Sequence, residues 1–344
     1  MGVGGASRLA AALLVALLAP AACGSGPAQT PSAVPAPSAV PTADTAHLLK
    51  GFPVPAGSAP HDVAPAADGG IWFTAQAAGY LGHLDPRDGS VTRVPLGQGS
   101  KPHGVITGPD GAAWVTDNGQ SAIVRVDATT REVSRFRLPA GRHDVELNTA
   151  AIGSDGSVWF TAQRGLYGRL DPRTGAMQVH DAPGGAGPYG MTATPDGTVY
   201  YASFAGSHIA RVDPASGGAT VIHPPTPNQG ARRIWSDAQG LLWVSEWNVG
   251  QLARYDPATG KWREWRLPGK HPHPYGVYVD GQGTVWLSDW GGNQILSFDP
   301  DGERWTAVPL PGRAADVRQL AGRPGEVMGA AQALNRLLVL PTSG

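Results

Sequence analysis

Tryptophan returns at an almost fixed interval along this chain. Trp72, Trp114, Trp159, Tyr200, Trp243 and Trp286 are spaced 42, 45, 41, 43 and 43 residues apart, and Met328 holds the equivalent place 42 later. Around each anchor the same phrase recurs. A short apolar run comes first, then a Gly/Asp turn, then "xxWxT"-like alternation. An "IxRxDP" segment follows ("YLGHLDP", "LYGRLDP", "HIARVDP", "QLARYDP"), and a last run ends near Leu-Pro. Each phrase holds four period-2 stretches divided by turn residues. A repeat of 40–45 residues with four strands is the pattern of a β-propeller blade, and seven anchors predict seven blades. The seventh unit stops after "NRLLVLP", its third strand. The segment "HLLKGFPVPAG", residues 47–57, reads as an unpaired fourth strand that completes the last blade and removes the exposed edges. The predicted fold is an all-β, seven-bladed propeller over residues 47–344.

The segment before it reads differently. "LAAALLVALL", Leu9–Leu18, follows Arg8 and is too short to span a bilayer, but suits the apolar part of a signal peptide over residues 1–22. The only cysteine, Cys23, stands in "APAACGSG", where lipidation of an exported protein needs it; cleavage after Ala19-Pro20-Ala21 is the rival reading. Residues 23–46, rich in Pro, Ala and Ser, read as an extended tether. The expectation is export, with a lipid anchor at Cys23 on the outer face of the membrane or release without one. A single cysteine allows no disulfide within the chain. A net charge of −1 leaves no electrostatic footprint for nucleic acid, and the chain is expected to be a monomer.

A fixed offset in a repeat defines one equivalent position. Eleven residues before each anchor stand His61, His103, Asn148, Tyr189, Arg232, Tyr275 and Val317. Three after stand Ala75, Asp117, Ala162, Ser203, Glu246, Asp289 and Ala331, and one further on come Gln76, Asn118, Gln163, Phe204, Trp247, Trp290 and Gln332. Consecutive strands run antiparallel, so both rings converge on one mouth of the central channel. Blades one to three bring hydrogen-bonding groups there and blades four to six aromatic ones. That combination suits a ligand with rings or sugar-like faces and several polar groups. The anchor tryptophans read as blade core and the Asp-Pro pairs as turn chemistry. His271 and His273 lack a third metal ligand nearby, and His143, Asp144 and Glu146 read as solvated loop charges.

The blade string "GPDGxxWfT…IgRlDp…P(H/Y)G", with "KPHGVITGPDGAAWVTD" and "GPYGMTATPDG" as its best stretches, resembles the streptogramin B lyase (virginiamycin B lyase) family over about residues 47–344. The resemblance implies carbon–oxygen elimination on a cyclic depsipeptide ester, a Mg²⁺ held near the mouth and a histidine base. It places the histidines in the last two blades. Here those openings hold Tyr275 and, by the offset of eleven, Val317; the histidines stand in blades one and two, as His61 and His103, and Lys101 occupies a glutamate's place. Carried two blades round the ring, the resemblance makes His61 and His103 the candidate bases and puts Asp117 where a metal-binding acid would stand; Asp289 keeps an acid in register in blade six, and with Glu246 these are the candidate metal acids. Asn148, Tyr189, Arg232, Tyr275, Trp247 and Trp290 are then left to bind the ligand. The alternative is a tethered propeller that binds a glycan, peptide or protein partner without turnover.

Overall fold

The computed structural model describes residues 40–342. The signal-peptide reading, Cys23 and the tether up to residue 39 lie outside the described residues. Seven four-stranded antiparallel sheets follow one another round a ring. Blade one spans residues 60–95, blade two 102–137, blade three 147–181, blade four 188–222, blade five 231–266 and blade six 274–309. Blade seven takes three strands from residues 317–341, and its outermost strand is Lys50–Pro53, paired with Arg336–Pro341 in the register Lys50↔Val339 to Pro53↔Arg336. The closure expected from the sequence is therefore present. The Asn335 amide locks it: Nδ2 donates to the carbonyls of Val54 and Pro55, and Oδ1 accepts from Ala59 N–H.

One boundary differs. The tether was expected to run to residue 46, but its end already lies on the propeller. Ala43 N–H donates to the Ala307 carbonyl, and Ala307 N–H to that of Pro41, against the outermost strand of blade six. A short 3₁₀ turn, Asp44–Leu48, follows. Ala43 and Ala46 are small enough to pack on an apolar cluster between blades six and seven.

The anchors explain the ring. Each sits in a buried cluster at the junction with the next blade: Trp72 with Val105 and Val115 of blade two, Trp114 with Val158 and Phe160 of blade three, and so on to Met328 with Ile71 and Phe73 of blade one. The five anchor tryptophans are almost wholly buried. Burying one removes on the order of 200 Å² from water, worth roughly 4–5 kcal/mol per junction. The Asp-Pro aspartates accept backbone N–H bonds two residues on, as at Asp85 and Asp171, which is turn chemistry.

Candidate functional site

Two local devices build the channel mouth. Every innermost strand opens with a bulge just after its first pair, as between Pro60 and Val63 or Pro102 and Val105. A bulge re-aims the residue that follows the pair. The hydroxyl two residues after the anchor then ties neighbouring blades together. Thr74 accepts from Asp62 N–H and donates to the carbonyl of His103; Thr116 does the same between Gly104 and Asn148. Thr161, Ser245 and Ser288 repeat this toward Tyr189, Tyr275 and Arg318. The "WxT" threonine therefore fixes the ring residue of the next blade. The strands approach so closely that a Cβ on Gly104 would lie 2.4 Å from the Asn148 carbonyl oxygen.

This device corrects one ring member. Ser288 donates to the carbonyl of Arg318, and the strand opening pairs Val317 with Ala331 where blade one pairs Pro60 with Ala75. Met328 pairs with Ala321, one residue nearer in sequence than Trp72 is to Ala64, because the intervening turn is one residue shorter. The offset of eleven therefore lands on Val317, and the seventh ring residue is Arg318. The ring is His61, His103, Asn148, Tyr189, Arg232, Tyr275 and Arg318.

The mouth is filled by these side chains. The rings of His61 and His103 pack with centroids 3.9 Å apart. Tyr189 and Tyr275 join hydroxyls at 2.6 Å. Tyr275 stacks on Trp290 at 5.1 Å, and Trp247 meets Trp290 edge-on at 5.3 Å. Arg232 lies over four rings, from Tyr275 at 4.1 Å to Phe204 at 4.9 Å, and donates to the Tyr189 hydroxyl at 3.1 Å. Arg318 lies 4.6 Å from the Trp290 centroid and 5.3 Å from that of Tyr275. The aromatic half expected in blades four to six is thus present, with two guanidiniums laid on it.

One position deeper, Asp62 of blade one meets Arg233 of blade five across the channel. Arg233 Nη2 lies 3.0 and 3.2 Å from the two carboxylate oxygens, and Nη1 donates to Thr149 Oγ1 at 2.6 Å. Their side chains are 3% and 1% exposed. Asp62 also lies 2.9 Å from His61 Nδ1. Beyond the ion pair the channel opens into a cavity of about 240 Å³, lined from Asp62 to Pro65 and from Arg233 to Trp235.

The histidines are buried rather than open to solvent at the mouth. His61 is 3% and His103 5% exposed. Burial holds both well below the usual histidine range. Arg318, Arg233 and Arg232 push His61 further down, and His61 does the same to His103. Both are therefore neutral at neutral pH. Tyr275 is buried, which alone would raise its phenol, yet the three guanidiniums outweigh that and lower it.

The expected metal acids are not brought together. Asp117 caps its own turn, accepting from Ser100 Oγ and from the N–H groups of Lys101 and Gln120. Asp289 accepts from the N–H groups of His273, Gly291 and Gly292 and from the Gln294 amide. Glu246 is fully buried with neither carboxyl oxygen bonded, and burial, then Glu264, push its carboxyl up to about 8. Among the described residues the one cluster of three metal-ligating donors within 4.8 Å is His61, Asp62 and His103. Magnesium takes hard oxygen donors in near-octahedral geometry. Here two donors are imidazoles, and the carboxylate already carries Arg233. The set does not fit Mg²⁺.

The remaining candidates fall as follows. Asn148 is fully buried, its Oδ1 accepting from Thr149 and its Nδ2 unpartnered. His273 packs beside Trp247 at 5.1 Å, outside the three-donor cluster. Asp144 and Glu146 pair with Arg164 at the surface. The sequence reading passed over Asp62, Arg233 and Arg318. Asp62 and Arg233 were visible as the charged residues directly after ring members in "PHDV" and "ARRI".

The profile of the virginiamycin B lyase family matches residues 38–258. No curated protein matches the chain. Among solved structures, a streptogramin B lyase superposes with TM-score 0.79 at 23% identity, covering 86% of this chain and 97% of that one. The virginiamycin B lyase of Staphylococcus aureus gives 0.79 at 20%, covering 86% and 99%. YCF48 bound to D1 peptide gives 0.71 at 15%, covering 88% and 100%.

Proposed function

The chain belongs to the virginiamycin B lyase family, and from that premise we propose that its channel mouth performs carbon–oxygen elimination on a substrate of the cyclic ester or depsipeptide type. The observation that carries this reading is a pair of neutral imidazoles packed beside three guanidiniums at the mouth. Elimination needs a base for a proton next to a carbonyl and positive charge for the oxygen on which charge develops. His61 is the better base. Asp62 accepts from its Nδ1, which leaves Nε2 as the basic nitrogen and fixes the ring. His103 packs against it and keeps water away. The guanidiniums supply charge stabilisation, and Trp247 and Trp290 wall the ligand. No step is assigned to a magnesium ion.

A second reading has its own support. Both imidazoles are buried, edge-on to Tyr275 and Tyr189, and a ligand resting on Arg232 and the tryptophans need not reach them. A propeller of similar fold is known bound to a peptide. The mouth is then a binding surface without turnover. Incubation of the purified protein with a cyclic type B streptogramin, with and without chelator, separates the two. A new product of unchanged mass in both conditions supports elimination. A product heavier by one water means hydrolysis. Unaltered antibiotic with folded protein favours the binding module.

A further inference from the structure

Arg232 and Arg318 are the mouth's cations that form no ion pair among the described residues. Arg232 donates to a tyrosine hydroxyl and leaves its Nε buried and unpartnered. Arg318 donates through Nε and Nη2 to the side-chain oxygen of Gln332. They come from blades five and seven and lie over the ring of Tyr275 in blade six between them. The acid within reach, Asp62, is taken by Arg233. Asp117 and Asp289 are engaged as turn caps, and Glu246 holds its proton to about pH 8. Three guanidiniums against one carboxylate, with both histidines neutral, leave two positive charges on the half-buried Arg232 and Arg318. Such charge is costly unless a partner supplies the anion. The planar fork of arginine matches the paired oxygens of a carboxylate or a phosphate, and of the two a carboxylate is the group that acidifies a neighbouring C–H for elimination.

We propose that the ligand of this site carries a carboxylate on the carbon that loses its proton, and that Arg232 and Arg318 hold it. This rests on the elimination chemistry above and departs from it in taking an acid rather than a cyclic ester as the substrate. The step balances without redox or added water. His61 Nε2 takes the proton on the carbon bearing the carboxylate. The C–H electron pair forms the double bond to the next carbon. The C–O bond on that carbon breaks, and the oxygen leaves with the bonding pair and receives the proton back from the imidazolium. The products are an unsaturated carboxylate and an alcohol. A uronic-acid sugar unit has this chemistry, and its flat face suits the half-buried indoles of Trp247 and Trp290.

The test uses the full chain in excess chelator. Three probes are compared: an oligogalacturonate, its methyl ester, and an uncharged galacto-oligosaccharide. Tryptophan fluorescence reports binding, and ultraviolet absorbance reports the new conjugated alkene. The acid should bind at least ~10-fold tighter than the ester, and alkene should appear with the acid. Arg232→Gln and Arg318→Gln, melting like the parent, should each lose on the order of 10- to 100-fold in affinity for the acid and at least ~10-fold less than that for the ester. Acid and ester binding alike, or neither binding, overturns the proposal, whatever a cyclic ester does. Inorganic phosphate competing as well as the acid reduces the site to a simple anion site and also overturns it. Acid bound without alkene overturns the proposed elimination step on the acid, and the streptogramin assay then decides the elimination reading by itself.

Discussion

Replacing Asp62 by asparagine should be among the most damaging single changes in this protein. In the parent, Asp62 neutralises Arg233 through two contacts at 3.0 and 3.2 Å, with both side chains almost free of solvent. Asparagine is nearly isosteric, so no cavity forms and packing is preserved. What remains is an uncompensated guanidinium held by Thr149 and facing Arg232 and Arg318 across the ring residues. Removing one partner of a buried pair costs about 3–5 kcal/mol. For a domain this large that lowers the melting temperature by roughly 6–15 °C. Replacing both partners, as Asp62→Asn with Arg233→Met, should recover most of the loss, since hydrophobic replacement of a buried pair is often neutral. Differential scanning calorimetry on the parent, both single variants and the double variant completes the cycle. If the Asp62→Asn protein melts within about 1 °C of the parent, or the double variant melts no higher than the single ones, the electrostatic account of the channel is wrong.

Two pH effects should also be measurable. His61 and His103 have native pKa values below the unfolded value, so the unfolded chain binds more protons as pH falls below about 6.5. Stability present above that pH is lost beneath it, by up to ~1.4 kcal/mol per pH unit for each histidine. Urea unfolding at pH 7.5, 6.5 and 5.5 should show this slope, and His103→Gln should reduce it; parallel slopes would count against buried neutral imidazoles. Glu246 runs the other way: its native carboxyl, raised to about 8, keeps a proton that the unfolded chain releases near 4.5. Stability is then lost as pH rises through that window, and Glu246→Gln should be the more stable protein at pH 8.5, by roughly 3–5 kcal/mol. Equal stability of the two at that pH would refute a buried, unpaired carboxyl.

The blades were legible because each anchor performs the same packing task at its junction, so the spacing survives wherever the junction does. The strand count, the closure by residues near 50 and the aromatic half of the mouth all follow from that regularity. What escaped has local causes. Arg318 was hidden by a turn one residue shorter in blade seven. Counting from the anchor carries that deletion inward, whereas the Ser288 hydroxyl bond does not. Asp117 and Asp289 looked like metal acids because a cap on backbone N–H groups leaves no trace in residue type. Asp62 and Arg233 are 171 positions apart, and only the ring's curvature joins them.

The seam where the ring closes also decides how the propeller would bear load. A pull delivered at Val40 does not act first on the strand Lys50–Pro53 that completes blade seven. It meets the contacts of Pro41 and Ala43 with Ala307 on blade six. Those few bonds act as a strain relief. They and the 3₁₀ turn Asp44–Leu48 stand between residue 40 and the strand whose removal would reopen the circle. A propeller hung from its amino-terminal side in this way can be tugged without being unzipped.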